Sequence, residues 1–140
     1  MNHLLRATLL WLLAIPAFAD QFKAFDDIEV HYVAVNTLFL EPEVAAHYGV
    51  VRANDRAIVN VSVLGPGGAA MLADVTGVSV NLLGQKAELP FSVIREGDSI
   101  YYIAPIRYTD QDVLRFRIAV AVPDRAPMNL EFQQQMYVDK

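Results

Sequence analysis

The stretch Asp112-Val113-Leu114-Arg115-Phe116-Arg117-Ile118-Ala119-Val120-Ala121-Val122 decides the fold class. Leu114, Phe116, Ile118, Val120 and Val122 fall on one face, and Arg115 and Arg117 on the other. Successive side chains leave a pleated sheet on opposite sides, so a period of two marks a half-buried β-strand. Turn chemistry bounds it, with Thr109-Asp110-Gln111 before and Pro123-Asp124-Arg125 after.

Working outward, the same alternation recurs at spacings of about ten residues. A first strand is expected over residues 28–38, with Ile28, Val30, Tyr32 and Ala34 inward and Glu29 and His31 outward. A second covers residues 56–64, where Val59, Val61 and Val63 alternate with Asn60 and Ser62. A third spans residues 73–83, and a fourth spans residues 86–95 with Leu89, Phe91 and Val93 inward. Pro90 lies inside that fourth strand and assigns it to a sheet edge, where a missing N–H costs nothing. The fifth spans residues 100–108, the opening stretch is the sixth, and residues 128–138 are the seventh. The single helix signal is Glu41-Pro42-Glu43-Val44-Ala45-Ala46-His47-Tyr48-Gly49, with Pro in the first turn, acids at the N-terminal dipole and Gly past the end. Seven strands and one short helix after the first strand read as an all-β, immunoglobulin-like antiparallel β-sandwich. The Cys pair and buried strand Trp of antibody domains are absent, so the strand topology stays open.

The N-terminus carries targeting chemistry. Arg6 precedes the apolar run of residues 7–15, and Ala17-Phe18-Ala19 supplies an A-x-A cleavage pattern. Residues 1–19 are therefore expected to be a cleaved signal peptide, and residues 20–140 a single sandwich domain starting at Asp20. The nine-residue run is too short for a bilayer core that needs about 20. No stable membrane insertion is expected once the leader is gone. With no cysteine, neither a lipid anchor on a new N-terminal Cys nor a disulfide is available. The mature chain would hold ten basic and sixteen acidic residues, a net charge of about −6. That balance disfavours nucleic acid and anionic membrane as partners.

Motifs with chemical meaning are few. Gly65-Pro66-Gly67-Gly68 lacks the Lys-Ser/Thr of a phosphate loop and reads as a turn. His31 and His47 have no ligand spacing around them, so neither a metal nor a cofactor is expected. No Cys and no Gly-x-Ser-x-Gly elbow offers a nucleophile, and Asp26-Asp27 and Asp110-Gln111-Asp112 are turn formers. Tyr101, Tyr102, Tyr108 and Tyr137, with Arg107, Arg115 and Arg117, are residue types enriched at interface hot spots. The short connection 123–127 predicts a hairpin of the last two strands, which puts Arg115 and Arg117 on one face with Glu131, Gln133, Gln135 and Tyr137. If Val122 lies near Ala126, Arg117 falls opposite Glu131 and Arg115 opposite Gln133. Arg115, Arg117, Gln133, Gln135 and Tyr137 are the partner-contact candidates. His31, Tyr101, Tyr102 and Arg107 are further candidates.

Several stretches also carry a resemblance. They are Val30-His31-Tyr32, Pro42-Glu43-Val44-Ala45 with Tyr48-Gly49, Arg56 to Val63, Glu96-Gly97-Asp98-Ser99-Ile100-Tyr101-Tyr102-Ile103, and Phe132-x-Gln134-x-Met136-Tyr137-Val138-Asp139. Together they resemble the uncharacterised exported proteobacterial domain-of-unknown-function family 4426 over nearly all of residues 20–140. The resemblance implies a periplasmic protein and names no catalytic residue. The expectation is a soluble, non-catalytic binding or accessory module for an envelope protein or small ligand. One alternative is a small periplasmic hydrolase using His31 or His47 with Asp26, Asp27 or Asp110. Another is a chaperone-like subunit that offers a sheet edge.

Overall fold

A computed structural model describes residues 21–138. The leader expected over residues 1–19 lies outside them, as do Asp139 and Lys140. Nine strands form two antiparallel sheets: β1 (Phe22–Phe25), β2 (Ile28–Asn36), β3 (Arg56–Leu64), β4 (Asp74–Val80), β5 (Lys86–Glu88), β6 (Ser92–Glu96), β7 (Ser99–Arg107), β8 (Val113–Ala121) and β9 (Met128–Gln135). The order is β1-β2-β3-β7-β6 in one sheet and β5-β4-β8-β9 in the other. The fold is an antiparallel β-sandwich, as the alternation predicts.

Two strands more than expected have local causes. Asp26 at φ 56 turns the chain so that β1 folds back on β2, with Phe25 beside Ile28. The expected fourth strand is two strands in different sheets. Leu89 N donates to Gly77 O at 2.9 Å in the four-stranded sheet, and Phe91 N donates back to Leu89 O at 3.0 Å. Pro90 thus sits at the centre of a three-residue turn that carries the chain across the sandwich. β5 and β6 are both edges, as Pro90 requires. Val93, expected inward, shares a side with its register partner Tyr102 but stays 50% exposed, because an edge strand has one neighbour only.

Between the sheets, Ile28, Val30 and Ala34 from β2 and Val59, Val61 and Val63 from β3 meet Leu114, Phe116, Ile118 and Val120 from β8. Every inward position expected on the opening stretch is buried. Three rings form a stack through the core: Tyr32 on Phe132 at 4.6 Å and Phe132 on Phe116 at 4.7 Å between centroids. Tyr102 is buried with its hydroxyl satisfied, accepting from Ala73 N at 2.7 Å and donating to Met71 O at 3.3 Å.

The helix α1 (Pro42–His47) is six residues long, shorter than the nine-residue signal. It starts at Pro42 and closes with Gly49 at φ 68, where Val50 N reaches Ala45 O at 2.8 Å and Gly49 N reaches Ala46 O at 3.1 Å. This is the glycine-terminated closure that Gly49 foretold. The helical segment reaches the outer face of the five-stranded sheet, where Tyr48 meets Glu96. Ile58 and Ile103 point outward by register yet are buried, as is Ala45. Tyr48 ties the helix down, its hydroxyl donating to Glu96 Oε1 at 2.8 Å.

Burial, and then that bond to Glu96, push the Tyr48 phenol up to about 12. A phenol raised above its unfolded value near 10 stabilises the fold fully below pH 10, and that contribution is lost as pH climbs toward 12. In an ultraviolet phenolate titration, one tyrosine is expected to ionise about two pH units after an unperturbed phenol. Glu96→Gln should lower that midpoint while leaving it above 10, since burial is the larger cause. A Tyr48 that ionises at the unperturbed value would show that the tether is absent.

Candidate functional site

The outer face of the four-stranded sheet carries the expected contact residues. β8 and β9 pair with Arg117 opposite Glu131, Arg115 opposite Gln133 and Val113 opposite Gln135. This is the register expected for Val122 near Ala126. Arg117 Nε lies 3.3 Å from Glu131 Oε1, with both side chains about half exposed. Beyond the strand end, Tyr137 donates its hydroxyl to Gln135 Oε1 at 3.0 Å, and Gln135 Nε2 donates to Gln111 O at 3.3 Å. Arg115, Gln133 and Gln135 are exposed, and Tyr137 is 61% exposed. The face thus presents a guanidinium–carboxylate pair, amides and one phenol on a rigid ladder. An exposed Arg–Glu pair contributes only about 0–1 kcal/mol, so stability does not explain it.

β4 completes the surface from the other side. Val78 pairs with Arg117 and Val80 with Arg115, so Thr76, Val78 and Val80 share the outer face. A shallow groove of about 500 Å³ runs across it. Thr76, Val78 and Ala119 belong to its lining, with the Arg117–Glu131 pair and Glu88 at its sides. The hollow exists because Ala119 is small between longer neighbours. Thr76, Val78, Glu88 and Ala119 escape sequence reasoning, since nothing local says that β4 lies beside β8.

The remaining candidates do not gather in one place. Tyr102 is a core residue and offers no surface. Tyr101 is half-buried on the outer face of the five-stranded sheet. Arg107 is exposed at the end of β7, with Arg56 directly across. Tyr108 is buried; its hydroxyl accepts from Asn36 Nδ2 and donates to Tyr137 O at 2.8 Å, closing that end of the sandwich. His31 Nε2 lies 3.0 Å from Glu29 Oε1, and its ring stacks on Phe22 at 4.9 Å.

The acid–base groups considered for hydrolysis are also dispersed. Asp27 forms a two-pronged ion pair with Arg125 at 2.6 and 3.2 Å, which holds its carboxyl below the usual range. Asp110 Oδ1 accepts from Val138 N at 2.9 Å. Neither carboxylate is hydrogen-bonded to His31 or His47. Ser62 is the register partner of His31, two residues from Glu29, yet no hydrogen bond links it to the imidazole. Among the described residues, Ser62 and His31 thus form no hydrogen-bonded nucleophile–base pair. Gly65–Gly68 forms a closed turn, Gly68 N donating to Gly65 O at 3.0 Å, and borders a hollow of about 250 Å³ with Asp26, Asp27 and Glu29.

With this geometry in hand, likenesses to known proteins can be weighed. A family model for a domain of unknown function, DUF4426, matches residues 22–139. Among solved structures, the chain is similar to a DUF4426 family protein from Pseudomonas aeruginosa PAO1, at 30% identity and TM-score 0.78, over 86% of this chain and 96% of that one. It is also similar to FetP of uropathogenic Escherichia coli strain F11, recombinantly expressed in the E. coli periplasm, at 13% identity and TM-score 0.60 over 87% and 96%. A copper-bound variant of Campylobacter jejuni P19 shows 13% identity and TM-score 0.53 over 84% and 94%. At identities this low the likeness is one of fold. No curated protein matches the chain. The family match spans all nine strands, and on it the chain belongs to the DUF4426 family, a domain of unknown function.

Proposed function

We propose that the protein is an exported, non-catalytic binding module of the periplasm, and that its contact surface is the outer face of β4, β8 and β9. The observation that carries this reading is the register of Arg117 on Glu131 and Arg115 on Gln133, on a face that no other described segment covers. The adjoining groove adds concave surface of the kind that seats a ligand or a partner's side chain. The leader signal supports export, and no described helix is long and apolar enough to cross a membrane. Strand addition is disfavoured at the edges β1 and β5, which are four and three residues long, while β9 is an eight-residue edge.

Copper, held by variants of FetP and P19, finds no matching donor set here. Among the described residues no three His, Cys, Asp or Glu side chains converge. His31 is engaged by Glu29 and Phe22, and His47 lies in α1. Among the described residues, His and carboxylate donors assemble no site for that metal.

The test is the double substitution Arg115→Ala with Arg117→Ala, combined with a photo-crosslinker at Gln133 in cells. The Arg117 side chain is about half exposed and Arg115 is exposed, so the melting temperature is expected to hold. A discrete crosslinked partner in the parent, lost in the variant, supports the reading. An unchanged crosslink removes this face, and a collapsed melt makes the arginines structural.

A further inference from the structure

One end of the sandwich is apolar at its tips. β2 ends at Asn36 beside Ala57, and β7 ends at Arg107 beside Arg56, so both strands finish at the same end. Tyr108 binds Asn36 and the Tyr137 carbonyl there. β8 begins at Val113 opposite Gln135, and Arg115 pairs with Val80, the last residue of β4. The segments after β2, after β4 and after β9 therefore project from one end. They carry Phe39 (82% exposed), Leu82 (79%), Leu83 (84%), Tyr137 (61%) and Leu38 (37%). Val51 (57%) joins them, because Arg52 beside it donates to the Leu40 carbonyl at 2.8 Å.

These tips are held, not loose. In the β4–β5 turn, Asn81 Oδ1 accepts from Leu83 N at 3.0 Å and from Gln85 N at 2.9 Å, and Gly84 takes φ 82. Thr37, buried beneath Phe39's segment, exchanges two hydrogen bonds with Ala53 at 2.9 and 3.1 Å. Turn tips ordinarily carry polar residues, so paired leucines fixed outward call for an apolar phase.

We infer that this end docks peripherally on a lipid bilayer. The tips come from three separate segments, after β2, after β4 and after β9. A bilayer interface demands only that apolar side chains reach a common plane, whereas a protein partner needs shape complementarity. Tyr137 suits the headgroup level beside aliphatic tips. Charge at this end is mixed, Arg52, Arg56, Lys86 and Arg107 standing among Asp55, Asp110 and Asp112, so the contact argued here is the hydrophobic one.

The chain expressed with its own leader and purified as the cell processes it supplies the test. The only Trp is Trp11, in the expected leader, so Leu83→Trp adds a reporter that reads this end. On phosphatidylcholine vesicles its emission is expected to shift blue and to be quenched by brominated acyl chains, while a Val93→Trp control is not. Leu82→Asp with Leu83→Asp should reduce vesicle co-sedimentation by about tenfold or more at unchanged melting temperature, and adding phosphatidylglycerol or salt should change little. Failure to associate overturns the inference. So does quenching equal at both positions, or binding that needs phosphatidylglycerol and survives the aspartates. Self-association abolished by the aspartates without vesicle binding would assign this end to a protein contact, which also overturns it. The assay is independent of the Arg115/Arg117 face.

Discussion

Phe116→Ala is expected to cost about 3–5 kcal/mol, the range for deleting a fully buried aromatic. Phe116 is 0% exposed on a central strand, with β4 on one side and β9 on the other. Its ring is the inner member of the Tyr32–Phe132–Phe116 stack that joins the two sheets. Removal would leave Phe132 without a partner on one face and open a cavity between sheets that β-strand backbones cannot readily close. A domain of this size possesses roughly 5–15 kcal/mol in total, so the loss is a large share. No disulfide shares the load. Urea unfolding reads the effect as a lower midpoint at a similar slope. A midpoint displaced by less than about a tenth would contradict the core position of Phe116.

Gly77→Val is the second large effect, expected to cost about 1–3 kcal/mol through overpacking. A Cβ at Gly77 would stand 2.8 Å from the Arg117 backbone oxygen, 3.1 Å from Leu89 Cδ1 and 3.2 Å from Ile118 Cγ1. The first of these is main chain in a ladder and cannot rotate away. Relief requires β4 and β8 to separate, and Gly77 also anchors the Leu89 N–H that starts the crossover at Pro90. At this chain length each kcal/mol lowers the melting temperature by roughly 4 °C. Ala119→Val, which adds bulk into the groove on the outer face, is the control and should leave the melt nearly unchanged. Equal shifts for the two would mean that the β4–β8 approach at Gly77 is not tight.

Local alternation sufficed for much of the fold. The parity of Leu114, Phe116, Ile118 and Val120 places the core, because the pleat offers a side chain two directions only. The short 123–127 connection limits the last hairpin to a few registers, and Arg117 opposite Glu131 is among them. Pro42 and Gly49 delimit a helix from backbone geometry alone. What stayed hidden depends on contacts between segments distant in sequence. The alternation of residues 86–95 reads as one strand, yet Pro90 moves its halves into different sheets. Ala57-Ile58-Val59 breaks the period of two because both faces of β3 are buried there, and only the folded chain shows that. The groove needs β4 beside β8, a pairing set by the packing of whole sheets and by the close approach at Gly77. Leu82 and Leu83 look like ordinary strand residues until the turn at Asn81 fixes them in solvent. Periodicity reports which face a residue takes, but what lies against that face is decided by which strands become neighbours.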